Sequence, residues 1–114
     1  MARYPVNLAP AVVRFTAAPL AKVLGILDMR WAVMTLEALS IGHCRFNRLQ
    51  RSLDGITHKV LIDTLRVLQR DGFVRGPLTD DGATEYRLTP LGADLVDLVG
   101  DIRSWCDHRS AELS

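Results

Sequence analysis

Apolar positions along this chain recur at two spacings, and the switches between them outline its elements. From Leu20 the apolar residues Val23, Leu24 and Leu27 fall three or four apart, the period of a helix face, and predict a short helix reaching about Asp28. Trp31, Met34, Leu36, Leu39 and Ile41 predict a second helix with a broad apolar surface, stopped at Gly42 because glycine suits the position just past a helix end. Cys44-Arg45-Phe46 reads as a small strand. Leu49 and Leu53 then face inward and Arg48 and Arg51 outward, with Asn47 as the expected N-cap and Gln50 completing a capping box. After the Asp54-Gly55 turn, Thr57 is expected to cap a helix whose inner face is Leu61, Leu65 and Leu68. Asp71-Gly72 ends it. Phe73-Val74-Arg75 predicts a strand, residues 76–83 a loop, and the alternation from Thr84 to Leu88 the returning strand. Thr89 followed by Pro90 opens a final helix. Its stripe is Leu91, Leu95, Leu98, Ile102 and Trp105, with Val96, Val99 and Cys106 beside it.

Helix, helix, strand, helix, helix, hairpin, helix is the order of a winged helix-turn-helix: mainly α with a small β-hairpin wing. A chain of 114 residues is expected to form one domain. With 48% of its residues apolar it can bury a core without a disulfide or metal staple. Pro5, Pro10 and Pro19 break up the start, so residues 1–17 are expected to form an arm, irregular or partly helical, and residues 18–114 the domain proper.

The net charge of +1 says little until it is divided along the chain. Residues 45–75 hold seven basic and three acidic side chains, whereas residues 76–114 hold three basic and eight acidic. A local basic patch is what contact with phosphates requires; an unevenly charged solvated surface is the alternative. No apolar run is long and unbroken enough for a membrane span, and the N-terminus lacks the layout of a secretion signal. Cys44 and Cys106 lie far apart with no Cys-x-x-Cys pair, which argues against a zinc site or disulfide framework and suits a reducing cytoplasm. His43, His58 and His108 have no metal-ligand spacing and no glycine-rich phosphate loop exists, so an enzyme and a cofactor are not expected. Cys44 beside His43 is read as a packed thiol rather than a reactive pair.

Several segments together resemble the HxlR family of bacterial transcriptional regulators, relatives of the MarR regulators. These are Ala18-Pro19, Asp28-Met29-Arg30-Trp31, Arg45-Phe46-Asn47-Arg48-Leu49, Gly55-Ile56-Thr57-His58-Lys59-Val60-Leu61, Leu65 through Asp71-Gly72-Phe73-Val74, and Tyr86-Arg87-Leu88-Thr89-Pro90-Leu91-Gly92. The resemblance runs from about Ala18 to Trp105 and rests on order and spacing rather than on any one segment. It implies a DNA-binding regulator that works as a homodimer. Three positions depart from the family pattern. Ala18 replaces the cysteine through which many members sense oxidants or electrophiles, which excludes thiol switching there. Asp80 and Asp81 make the wing acidic where it is often basic. Ile62 stands where a small polar residue is usual.

With Leu61, Leu65 and Leu68 inward, the second helix of the motif offers its outer face to DNA. The first turns of such a helix meet base edges, and later residues reach the backbone. Thr57, His58, Lys59, Ile62 and Arg66 are therefore expected at base edges, with Ile62 available to a thymine methyl. Arg45, Arg48, Arg51, Arg70 and Arg87 are expected at phosphates, which fix position without reading sequence. Asp63 is expected to accept from cytosine or to orient Arg66. Trp31, Phe46, Phe73 and Tyr86 are read as core. Leu20, Leu24, Leu27, Leu95, Leu98, Ile102 and Trp105 form an apolar excess read as a dimer seam, the alternative being that it folds back onto its own core. The expected function is a cytoplasmic, homodimeric repressor reading an inverted repeat in double-stranded DNA and responsive to a small-molecule effector. The runner-up is a winged-helix protein-interaction module without DNA binding, favoured by the acidic wing and near-neutral charge; a ligand-binding protein without regulation is a third reading.

Overall fold

The computed structural model describes residues 18–42, 44–80 and 83–114. The expected arm, His43 and Asp81 lie outside them. Among the described residues six helices and three strands follow one another as α1 (Ala18–Leu27), α2 (Arg30–Ile41), β1 (Cys44–Arg45), α3 (Phe46–Ser52), α4 (His58–Arg70), β2 (Val74–Asp80), β3 (Ala83–Leu88), α5 (Pro90–His108) and α6 (Ser110–Leu113). This is a winged helix-turn-helix, mainly helical, with an antiparallel sheet in the order β1-β3-β2.

Helix α2 is the hub, touching α1, α3, α4, α5 and β3. It contributes Ala32, Leu36 and Leu39 to a core completed by Ile26, Leu49, Leu53, Ile56, Leu61, Leu65, Leu68, Phe73, Val74 and Leu95. Each fully buried leucine contributes about 1.5–3 kcal/mol relative to exposure, so the triplet Leu61, Leu65 and Leu68 alone pins α4 firmly. Thr35, buried in the middle of α2, donates its hydroxyl to the Trp31 carbonyl at 2.6 Å, which satisfies the polar atom within its own helix. Thr64 on α4 is also buried, widening the inner face beyond the three leucines.

Two of the expected caps hold and one does not. The Thr57 hydroxyl accepts from the Val60 amide at 3.2 Å and starts α4; the Thr89 hydroxyl accepts from the Gly92 amide at 3.0 Å and starts α5. Asn47, by contrast, is not an N-cap. Helix α3 begins two residues earlier than that cap implies, at Phe46, capped by the extended backbone of Arg45 without a side-chain bond. Gln50 makes no capping box either: its amide points forward and donates to the Ile56 carbonyl at 3.4 Å, bracing the turn before α4. Gly42 does terminate α2, but in extended backbone that any residue could adopt. Ile41, read as part of the broad apolar surface of this helix, is 92% exposed.

The stretch expected to be a loop after Arg75 is mostly strand. Val74 pairs with Leu88 and Arg75 with Arg87; after an irregularity between Arg75 and Leu78 the ladder resumes with Leu78 opposite Glu85 and continues to Asp80 opposite Ala83. Pro77 is tolerated because β2 is an edge strand, whose outer side needs no ladder donor. Gly76 is required at the irregularity. Its φ is +131°, and a Cβ there would lie 2.6 Å from the Glu85 carbonyl oxygen. β1 joins on the other side of β3, with Cys44 opposite Tyr86 and Arg45 opposite Glu85.

Candidate nucleic-acid interface

Helix α3, the turn at Asp54-Gly55 and helix α4 form the helix-turn-helix, and the sheet lays the wing beside it. At 13 residues α4 is about 20 Å long, and a helix about 10–12 Å across fits a major groove about 12 Å wide. Its core face is sealed by Leu61, Leu65 and Leu68, so the orientation of the outer face is set by burial rather than by any ligand. Thr57, His58, Lys59 and Arg66 are exposed on that outer side, and Ile62 is half-buried at its margin. Arg45, Arg48, Arg51, Arg70 and Arg87 are exposed as well. The expected base-facing and phosphate-facing residues thus sit on β1 (Arg45), α3 (Arg48, Arg51), α4 with its cap Thr57, and β3 (Arg87), where α3 packs on β1 and β3 and α4 packs on β2.

Two cations on α4 already have intrachain partners. Lys59 Nζ donates to Asp63 Oδ2 at 2.9 Å, so Asp63 answers Lys59 rather than orienting Arg66. Both side chains are exposed, and a surface pair one helical turn apart holds weakly enough to open for a phosphate or base. Arg70 donates through Nε and Nη2 to the Asp71 carboxylate, at 3.1 and 3.3 Å. That bond holds the Asp71 carboxyl below the ordinary carboxylate range against the opposing effect of burial. Arg48 has no acidic partner at ion-pair distance among the described residues.

An aromatic chain fixes the recognition helix against the wing. The His58 ring, in the first turn of α4, packs on Phe46 with centroids 4.7 Å apart. Phe46 in turn faces Tyr86 of β3 at 6.4 Å. Burial pushes the Tyr86 phenol up, and the nearby Arg66 guanidinium opposes it, which places Arg66 within electrostatic reach of the wing strand. One helix start, one helix and one strand are therefore set relative to each other by three rings. No local pattern in the chain announces this, because each ring sits in a different element.

Sequence reasoning also passed over Arg75. In the β2–β3 register Arg75 stands directly opposite Arg87, and both are exposed. Directly opposed residues of an antiparallel pair project from the same face, and like charges so placed destabilise each other. A bound anion would relieve that repulsion. The signal could have been found by aligning the two strands outward from the Asp71-Gly72 turn and Thr89.

Of the seven residues grouped as a dimer seam, Leu95 is 5% exposed and belongs to the core of its own protomer. Leu24, Leu27 and Leu98 are half-buried, and Leu20, Ile102 and Trp105 remain exposed at 48, 43 and 54%. The folding-back alternative therefore describes Leu95 and, in part, Leu27 and Leu98, which pack against the same core. An unforeseen ion pair anchors the middle of α5: the Arg103 guanidinium forks onto the Glu37 carboxylate of α2, with the Nη2–Oε1 bond at 3.1 Å. The fork draws the Glu37 carboxyl down in spite of partial burial. Cys44 is half-buried, and burial pushes its thiol up, opposed by Arg48.

Comparison with known proteins places this arrangement. The family model for HxlR-like helix-turn-helix proteins matches residues 26–113. The HTH-type transcriptional regulator YtfH of Escherichia coli K12 is 35% identical over 98 residues, covering 83% of this chain and 77% of that one. A crystal structure of a MarR-family transcriptional regulator from Enterococcus faecalis V583 superposes with a TM-score of 0.76 at 27% identity, covering 91% of this chain and 96% of the other. A YtfH regulator structure from Salmonella typhimurium gives a TM-score of 0.66 at 33% identity, covering 83 and 87%. These relatives are transcriptional regulators and not enzymes. The helix-turn-helix, its capped recognition helix and its wing are those of a transcriptional regulator, and the chain belongs to the HxlR-like helix-turn-helix family.

Proposed function

We propose that this chain is a sequence-specific, homodimeric repressor that reads an inverted repeat in double-stranded DNA and answers to a small-molecule effector. One observation carries the DNA reading: α4 is capped by Thr57, sealed on one side by three leucines, and offers Thr57, His58, Lys59 and Arg66 together on the other. The first turns meet base edges, with Ile62 at the margin for a thymine methyl, while Arg45, Arg48, Arg51 and Arg87 lie on the flanking elements for the phosphates. Arg75 joins them through its pairing with Arg87. Arg70 is a weaker candidate, since a phosphate would have to draw it from Asp71.

The exposed Leu20, Ile102 and Trp105 support self-association, because large apolar side chains left uncovered on α1 and α5 lose contact with water when a second copy covers them. Two-fold symmetry then presents two α4 helices, and half-sites one helical turn apart, about 10 base pairs, match them. Occupying a promoter suffices to block it, so repression asks for no further surface. Such a regulator acts in the cytoplasm, where the chromosome is.

Selection of bound fragments from a random duplex pool tests the reading. The expected result is an inverted repeat with half-sites about 10 base pairs apart, bound by a species of dimer mass in light scattering. A pool that shows no enrichment, with binding indifferent to salt, would instead support a protein-interaction module built on the same fold.

A further inference from the structure

A cavity of about 600 Å³ opens between the C-terminal half of α2, β1, α3 and the middle of α5. That is within the usual range of small-molecule sites. Its apolar wall is Met34, Ala38, Ile41 and Leu53. Two of these, Ile41 at 92% and Met34 at 37%, stand exposed at the rim, apolar surface that the protomer leaves uncovered. The polar side holds Glu37, Arg103 and Arg48. Glu37 and Arg103 satisfy each other through their fork. Arg48 has no acid within ion-pair distance among the described residues, so the charged side chains lining the cavity, Glu37, Arg103 and Arg48, carry a net positive charge. Cys44 also lines it, and since burial pushes its thiol up it adds no negative charge at neutral pH. Among the described residues no aromatic side chain lines the cavity, so none of them favours a flat ring by stacking.

We propose that this cavity binds a small aliphatic carboxylate, its head on the Arg48 guanidinium and its chain along Met34, Ala38, Ile41 and Leu53. The regulatory consequence rests on the DNA reading above. Arg48 lies on α3 among the residues proposed for phosphate, and a carboxylate on its guanidinium competes for the same donors and repels an approaching phosphate. Occupancy therefore weakens a phosphate contact and adds a negative charge beside the DNA-facing helix, so the ligand lowers DNA affinity.

Octanoate titrated into the full chain by calorimetry, without DNA, tests the site. Saturable binding of one octanoate per chain is expected. Binding should weaken at least tenfold in Arg48→Met and in Ile41→Glu, two exposed positions where folding is unaffected, as circular dichroism would check. Octan-1-ol, which lacks the charge, and benzoate, which lacks the chain, should each bind at least tenfold more weakly. In a separate anisotropy assay octanoate should weaken DNA binding by wild type severalfold and leave that of Arg48→Met unmoved. Absence of saturable octanoate binding, or equal binding by Arg48→Met, overturns the site. Octan-1-ol as tight as octanoate overturns the role of the charge, and benzoate as tight overturns the aliphatic assignment. DNA binding without octanoate binding sinks this inference alone, whereas octanoate binding without DNA binding sinks the proposed function and leaves the cavity standing.

Discussion

Replacing Gly92 by alanine should damage the domain far more than the same change eight residues on. Gly92 lies in the first turn of α5, and a Cβ there would sit 2.1 Å from the Phe73 carbonyl oxygen, 3.1 Å from its carbon and 3.2 Å from Leu88 Cδ2. Backbone has to move by about 1 Å to admit a methyl group, a displacement of the overpacking kind that costs about 1–3 kcal/mol. The same carbonyl accepts from the Thr89 amide at 3.1 Å, and Thr89 in turn donates its hydroxyl to the Gly72 carbonyl at 2.6 Å. Shifting it strains a junction where the end of α4, the start of the wing and the start of α5 meet, for about another 1 kcal/mol per lost hydrogen bond. Alanine's better helix propensity returns up to about 1 kcal/mol. The net expectation for Gly92→Ala is a loss of about 2–3 kcal/mol. Gly100 in the same helix has nothing within 4 Å of its would-be Cβ, so Gly100→Ala should gain about 0.5–1 kcal/mol. Urea unfolding followed by circular dichroism at 222 nm measures both, and at roughly 4 °C per kcal/mol the melting temperatures should differ by over 10 °C. Equal stabilities for the two variants would show that α5 does not approach the wing as closely as described.

Other substitutions separate structure from recognition. Thr57→Ala should cost about 1 kcal/mol of stability by removing the cap of α4, with Thr57→Ser close to wild type in the same unfolding assay. Arg66→Ala should weaken binding to a selected duplex by about 1–3 kcal/mol and relax preference at one base position, whereas Arg75→Ala should weaken all duplexes alike while leaving unfolding unchanged or slightly stabilised through loss of the like-charge pair with Arg87. Glu37→Gln tests the fork to Arg103. Because the Glu37 carboxyl is held below its ordinary range in the folded chain, its contribution is present in full above that range and fades as pH falls through the lowered folded value. Wild type should therefore lose its advantage over Glu37→Gln on acidification, and since the pair is partly exposed the advantage should not exceed about 1 kcal/mol. An advantage that grows on acidification would contradict the sign.

The sequence was legible at most places where the signal was local. Thr57 and Thr89 cap their helices because a hydroxyl needs nothing beyond an amide three residues on, and the leucine triplet of α4 shows its period directly. The Asn47–Gln50 pair matched a capping pattern equally well and misled. There the extended Arg45 is committed to β1 and leads straight into the helix at Phe46, whose ring faces His58 and Tyr86, and Gln50 bonds across to Ile56. Pro77 read as a loop because its meaning depends on strand order, which periodicity does not carry. A stripe such as that of α5 says that it will be buried, not against what: Leu95 turned to its own protomer while Ile102 and Trp105 stayed out. Arg75 opposite Arg87, the three-ring chain and the Glu37–Arg103 fork all join distant segments, and only the fold brings them together.

Salt titration of duplex binding tests the central claim most directly. Arg45, Arg48, Arg51, Arg75 and Arg87 give five candidate phosphate contacts per protomer and ten per dimer, so the logarithm of the association constant should fall against that of salt concentration with a slope of about −9. In Arg48→Ala the slope should flatten by about 2, one phosphate per protomer. A slope near zero in wild type, or one unchanged in the variant, would contradict the assignment of this face to DNA.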